Sequence, residues 1–374
     1  MDQILRPLYD SYGSQYNLGL TGLSGILLIT VFTAIAAVVI YAKNFYREEH
    51  RPGRDPSLPT GSEVVSLRIY PIKSCRGIEL RSVKVKRSGL DLDRNWMFVD
   101  PAKGNEFLTI RGDPSMTLID TELTNDWKEL KISIKGTEDS VTIPTRPTKE
   151  WLESNTKLVE VEIWGKKTDG WEYSDDINRI FNTFFKKPVK LVYKGPTPRP
   201  SGGNADPEFY GETVPHHFAD LMSVQIASEA SLEDLNRRLK DRDQEELTIE
   251  RFRPNIIVKG NEPWEEDRWK RVQIITMFHE LEQLRRLDFD VVCHCARCQV
   301  PNVNPDTADK HAKEPWDTLM KFRRIDEGGA AKYKPCFGML CLPKGEGEIR
   351  LGSKLEALEM TDKHLYSKAK FADL

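Results

Sequence analysis

The sequence predicts an α+β, β-rich protein in two units, each built around β-strands with peripheral helices and the pair preceded by one transmembrane helix. Three observations carry this. Short β-branched or alternating runs, punctuated by Gly, Pro and Asp, recur from residue 64 to about 358. A helical period interrupts them in only a few places. A single long uncharged run stands apart near the N-terminus, in a chain of 374 residues whose overall composition is that of an ordinary soluble protein.

In chain order, residues 1–17 form a tail with Arg6 as its only basic side chain. Residues 18–42, LGLTGLSGILLITVFTAIAAVVIYA, contain no charge and would extend about 37 Å as a helix. The small residues at Ala34–Ala37 resemble a signal-peptide cleavage site, but the run exceeds the usual apolar core of about 7–15 residues, so a retained anchor is expected. Lys43, Arg47, Arg51 and Arg54 follow at once and place the large C-terminal part in the cytosol. Residues 43–62, rich in Pro, Gly and mixed charge, read as a linker.

The first unit spans 63–195. VVSLRIYPIKS, IELRSVKVKRSG, NWMFVD, LKISIK and DSVTIPT read as its strands and predict a barrel or sandwich. Ile177, Ile180, Phe181, Phe184 and Phe185 repeat at helical spacing and predict one closing helix. The Pro- and Gly-rich stretch 195–217 marks the boundary. In the second unit, 196–358, Ser231 and Asp234 form a capping-box pattern ahead of Leu235 and Leu239, predicting an amphipathic helix. RFRPNIIVKG, RVQIITM, LDFDVVCHC and GEIRLGSKLEAL read as strands, EPWDTLMKFRR as a short helix, and 359–374 as a tail.

Lys+Arg 55 against Asp+Glu 58 gives a net charge of -3, with no long block of like charge, so no nucleic-acid footprint is expected. The six cysteines, at 75, 293, 295, 298, 336 and 341, do not suit a disulfide scaffold in a cytosol-facing chain of this length. Cys293, Cys295 and Cys298 have Cys-x-Cys-x-x-Cys spacing, and His294, Cys336 or Cys341 could complete a zinc set. In a continuous strand Cys298 would face away from the other two, so convergence needs a turn at Ala296. A redox pair of Cys295 and Cys298 is conceivable but lacks a surrounding βαβ pattern, and plain packing of Cys298 as a small hydrophobe is the strong alternative. Elsewhere, Lys73 and Ser74 follow a strand, where ammonium and hydroxyl can converge on an anion. Arg94 sits between acidic residues and a strand, as an ion pair or a fork for phosphate. Arg253 and Asn255 open another strand behind a rigid Pro254.

The ordered set YPIKSCRG, GLDLDRNWMFVD, FLTIRGDPSMTLI, SEASLEDLN, FRPNIIV and ARCQVPNVNPDT…KEPWDTLMKFR resembles the MOSC family with its N-terminal MOSC β-barrel domain, over residues 64–355. Within that family the likeness is to the mitochondrial amidoxime reducing components, molybdenum enzymes anchored in the outer mitochondrial membrane. The resemblance implies an N-terminal MOSC β-barrel domain at 63–195 and a MOSC β-barrel domain at 196–358. It implies that Cys298 is the thiolate ligand of molybdenum in a molybdenum–molybdopterin cofactor, where a soft sulfur suits the metal. It assigns the cofactor's phosphate to Lys73, Ser74 and Arg94. Asp220, the backbone of Leu221, Arg253, Asn255, Ala296 and Arg297 would hold the pterin and the phosphate side. Departures stand at Asn304, at Leu221 and Met222, and at Leu340 where the family carries tyrosine; they bear on substrate preference.

The activity so implied is two-electron reduction of N-hydroxylated substrates such as amidoximes and hydroxylamines. Electrons would come from a b-type cytochrome and its NADH-dependent reductase on the same membrane, since no cysteine pattern for a two-iron ferredoxin follows. Two rivals are a MOSC sulfur carrier holding a persulfide on Cys298, set back by the absence of a domain that binds pyridoxal phosphate, and a non-catalytic membrane adaptor.

Overall fold

A computed structural model describes residues 57–278, 282–328 and 332–366, with scattered positions before them. Contacts divide the chain into Met1–Ser57 and Leu58–Leu374. Most of the expected anchor, 18–42, lies outside the described residues. Those described within it, Val31, Ala34, Ile35, Ala36, Val38 and Val39, are helical and exposed. No helix among the described residues is long and apolar enough to cross a membrane.

Two closed β-structures organise Leu58–Leu374. The smaller is a five-stranded barrel in the order Thr156–Ile163, Lys166–Tyr173, Lys190–Lys194, Trp96–Asp100 and Glu106–Phe107. The last strand returns to the first through a parallel bridge of Glu106 with Glu162. The larger is a sheet in the order Ile256–Val258, Val224–Ser228, Cys336–Pro343, Gln283–Ala296, Trp269–Phe278, Lys354–Met360, Ser62–Ile69 and Ile78–Leu80. Pairing of Ser62–Ile69 with Ile256–Val258 closes its first seven strands into a ring. The sheet therefore takes Ser62–Ile69 from the other side of the boundary expected near 195. Complete burial of Val64, Leu67 and Ile69 in the common core explains why that strand is held there. All neighbours are antiparallel except Val224–Ser228 and Ile256–Val258, which are joined through the helix Glu229–Lys240 as a βαβ unit.

The helical period at 177–185 forms the helix Asp175–Phe185, which buries Phe181 and Phe185 against Phe98 with centroids 4.8 and 5.7 Å apart. The amphipathic helix at 229–240 is present, but its cap is Ser228 rather than Ser231. Ser228 Oγ accepts the backbone N–H of Ser231 at 3.1 Å. Two serines lie three apart in SEAS, and the strand before them runs through Ser228, so the first helical residue is Glu229. Asp234, freed from a capping role, accepts Trp264 Nε1–H at 2.9 Å and pairs with Arg237 and Arg238. The stretch 195–217 is not wholly irregular. Arg199–Pro200 pairs with Pro215–His216, and a single helical turn, Pro207–Tyr210, stands between them.

Candidate functional site

A cavity of about 560 Å³ opens where both barrels meet the loops between them. Lys73, Ser74, Arg94, Asp220, Leu221, Arg253, Asn255, Ala296, Arg297 and Cys298, the residues singled out in the sequence, all line it. They come from five separate stretches of chain. What gathers them is the ring closure, which brings the turn after Ser62–Ile69 beside the segment leading into Ile256–Val258.

The thiol cluster resolves into separate fates. Gln283–Ala296 ends at Ala296, and the register against Cys336–Pro343 shifts between Val291 and Cys293 and again between His294 and Ala296. The turn needed at Ala296 therefore exists, and Cys298 lies beyond the strand. Cys295 and Cys298 both line the cavity, while Cys293 packs with Met222, Leu340 and Leu342. His294 points to the other face, with Nδ1 3.5 Å from Asp326 Oδ1 and Nε2 3.8 Å from Asp267 Oδ1. No group of His, Cys, Asp and Glu that could hold a metal by itself exists among the described residues, so the zinc alternative has no site there. Cys75, Cys293, Cys295, Cys336 and Cys341 are buried, and burial pushes the thiol of each upward; Cys298 alone is partly exposed.

The cations are arranged at two depths. Arg94 pairs with the buried Asp93, which also accepts Tyr70 N–H at 2.8 Å. Arg253 lies 4.1 Å and Arg94 4.9 Å from the ring centroid of Tyr70, so this fully buried ring spaces two guanidiniums. Arg297 donates to Gln225 Oε1 at 3.2 Å, to Phe252 O at 3.0 Å and to Cys295 Sγ at 2.9 Å. Arg253 Nη2 and Arg297 Nε are buried with no partner among the described residues. Such donors call for an acceptor, and an anion in the cavity supplies one.

Lys73 donates to Phe218 O at 2.9 Å and pairs with Asp220. Burial pulls its ammonium down to about 8, against the pull of Asp220 in the other direction. Partial desolvation at the cavity wall would raise the Asp220 carboxyl, whose side chain stays largely exposed, but the Lys73 ammonium and the Trp164 N–H, 2.9 Å away, outweigh it and hold the group well below the usual carboxylate range. Asn255 is committed to the scaffold: Oδ1 accepts Gln225 N–H at 3.1 Å and Arg94 at 3.4 Å, and Nδ2 donates to Arg68 O at 3.2 Å. Its amide thus steadies Arg94.

Ser74, Arg94, Trp164 and Arg253 all have φ between 52° and 70°. Left-handed backbone at non-glycine residues costs on the order of 1–3 kcal/mol each and persists where surroundings enforce it, often around functional sites. Trp164 and Gly165 form the two-residue turn of the hairpin Thr156–Ile163 to Lys166–Tyr173, where both φ values are positive. Trp164 was not singled out in the sequence, nor were Thr109, Ile110, Arg111, Trp316 and Lys334, which also line the cavity. For Trp164 the available signal was a tryptophan at a turn position that favours Asn or Gly, while Thr109, Ile110 and Arg111 lie within the motif FLTIRGDPSMTLI and Trp316 within KEPWDTLMKFR. Leu221, Met222 and Leu340, marked in the sequence for substrate preference, form part of the apolar wall.

Residues 61–188 match the MOSC N-terminal beta barrel domain and residues 213–356 the MOSC domain. The chain is 32% identical over 317 residues to mitochondrial amidoxime reducing component 2 of Rattus norvegicus, covering 81% of this chain and 85% of that protein. It is 30% identical over 315 residues to mitochondrial amidoxime-reducing component 1 of Mus musculus, covering 82% and 86%. A molybdenum cofactor sulfurase of Oryza sativa subsp. japonica is 30% identical over 312 residues, covering 78% of this chain but only 34% of the sulfurase.

Proposed function

For a chain that belongs to the MOSC family, with relatives named amidoxime reducing components, we propose the activity of a membrane-anchored, molybdenum-cofactor-dependent reductase of N-hydroxylated compounds. The observation that carries the proposal is the meeting, in one cavity, of the partly exposed Cys298 with the cations Lys73, Arg94, Arg253 and Arg297. A pterin bearing a phosphate and a soft metal fits that donor set. The orphaned N–H groups of Arg253 and Arg297 need acceptors, and the only thiol not sealed in the core faces the same space.

In this reading Lys73, Ser74, Arg94 and Arg253 hold the phosphate, Asp220, Leu221, Ala296 and Arg297 orient the pterin, and Cys298 is the ligand to molybdenum. When bound, the cofactor supplies two-electron redox chemistry that the side chains lack. Reduction of an N-hydroxylated group breaks its N–O bond, takes up two electrons and two protons, and releases water with the amine or amidine. The apolar wall of Leu221, Met222 and Leu340 receives the body of the substrate and displaces water from it. Asp220, held ionised by Lys73 and fixed by the Trp164 N–H, keeps the hairpin tip against the cavity.

Membrane attachment through residues 18–42 is part of the proposal, supported by the uncharged, apolar length of that segment in the sequence. A cytosol-facing position on the outer mitochondrial membrane is the proposed location; the basic residues behind that segment support the orientation, and the relatives' names support the organelle. A b-type cytochrome and its NADH-dependent reductase are the proposed electron source. On a shared membrane, tethering would raise their effective concentration.

The match to a molybdenum cofactor sulfurase favours a second reading, in which Cys298 carries a persulfide. Incubating the purified full chain anaerobically with benzamidoxime and reduced methyl viologen separates the two. Benzamidine formation supports the reductase; cyanide-releasable sulfur on a metal-free chain that forms no benzamidine supports the carrier.

The phosphate assignment also has a pH signature. Deprotonation of Lys73, near 8 in the absence of an anion, removes a donor from the cavity, so the Kd of the apoprotein for inorganic phosphate is expected to rise from about pH 7.5 to about pH 9.5. Stability moves the other way. The unfolded chain keeps this lysine protonated to higher pH than the folded one, so its contribution favours the folded state progressively as pH rises from about 8 towards 10.5. A phosphate Kd that stays flat over the interval would remove Lys73 from the binding set.

A further inference from the structure

At the mouth of the cavity a loop from the smaller barrel places a cation on an aromatic face. Gly112 N–H and Asp113 N–H both donate to Thr109 O, at 3.0 and 2.9 Å, and this tight turn presents Arg111. The Arg111 guanidinium carbon sits 4.4 Å from the ring centroid of Trp164. Trp164 is itself fixed by its N–H to Asp220 and by an edge contact with Phe107 at 4.8 Å.

The charges lining the cavity do not balance. Against Lys73, Arg94, Arg111, Arg253, Arg297 and Lys334 stands one carboxylate, Asp220. Asp220 neutralises Lys73, and Asp93 neutralises Arg94 from below. Arg253 and Arg297, with their buried orphaned donors, are taken up by the phosphate and the pterin. Arg111 and Lys334 are left over. Both are exposed, and neither forms an ion pair among the described residues.

Resting on the reductase reading of this cavity, we infer that Arg111, held on the face of Trp164, is a specificity determinant that selects N-hydroxylated substrates carrying a carboxylate on an aromatic or similarly apolar body. The apolar wall takes the body, the guanidinium fork takes the carboxylate, and Lys334 adds a second positive charge at the same opening. The indole face restrains the guanidinium, so less side-chain freedom is lost when the carboxylate arrives.

The test compares benzamidoxime with 4-carboxybenzamidoxime on the full-length, cofactor-loaded protein. Turnover is read with reduced methyl viologen as donor, and Kd is read by calorimetry on the oxidised protein without donor. The carboxylated compound is expected to be favoured about five-fold in both kcat/KM and Kd, the preference shrinking as salt is raised and collapsing towards one in Arg111→Gln. Equal handling of the two compounds by the wild-type protein, or an undiminished ratio in Arg111→Gln, overturns the inference. Should neither compound be reduced, the reductase reading fails, while the ratio of Kd values still decides whether Arg111 recognises the carboxylate.

Discussion

Cys298→Ala is expected to abolish the proposed reduction of N-hydroxylated compounds while leaving the fold in place. Cys298 lies past the end of Gln283–Ala296 and is partly exposed, so truncating its side chain removes little packing. The expected stability change is within about 1 kcal/mol, a shift of a few degrees in Tm. Removing a direct metal ligand should cost more than the roughly 10–100-fold penalty for removing a partner that only orients one, so activity is expected to fall by more than about 100-fold. The paired control is Cys293→Ala: its thiol sits in an apolar cluster with Met222 and Leu342, and its loss should appear in Tm before it appears in the metal content. Activity assay, thermal melt and molybdenum analysis of both variants check this.

Arg94→Ala is expected to lose both cofactor and stability, and Arg253→Ala mainly cofactor. Arg94 compensates Asp93, whose side chain is only 3% exposed, and removing one member of a buried pair costs about 3–5 kcal/mol. Arg253 forms no ion pair among the described residues, so its removal strands no carboxylate. Loss of a charge-assisted hydrogen bond worth about 1.5–3 kcal/mol weakens phosphate binding roughly 10- to 100-fold. Molybdopterin content measured beside Tm separates the cases. A large fall in Tm for Arg253→Ala with unchanged pterin content would mean that Arg253 belongs to the scaffold and not to the phosphate site.

Much of this arrangement was legible in the chain because it is local. Alternation and turn residues marked strands such as Trp96–Asp100 and Glu129–Ile134, and the Ile177–Phe185 period marked a helix, since each pattern reports the face that a segment buries. Of the residues that gather in the cavity, Lys73, Ser74, Arg94, Arg253 and Asn255 stood out by their places at strand ends, whereas Asp220, Leu221, Ala296, Arg297 and the role of Cys298 came only from the family resemblance. Ring closure was not legible: pairing of Ser62–Ile69 with Ile256–Val258 joins segments almost 190 residues apart, as in the hydrogen bond from Asn255 Nδ2 to Arg68 O with a separation of 187. Trp164 escaped for a different reason. Its place at a turn with positive φ runs against local preference, and only the contacts with Asp220, Arg111 and Phe107 show what holds it there. The helix cap was misplaced by one serine because SEAS offers two candidates three residues apart, and strand geometry chose between them.

Everything proposed for this cavity depends on the Cys298 sulfur binding molybdenum there. X-ray absorption at the molybdenum edge of the purified full chain, compared with Cys298→Ser, tests it most directly. Molybdenum is expected in the wild-type protein and, in the variant, either one sulfur neighbour fewer around the metal or loss of the metal altogether. Wild-type protein without molybdenum, or the same number of sulfur neighbours in both proteins, would contradict it.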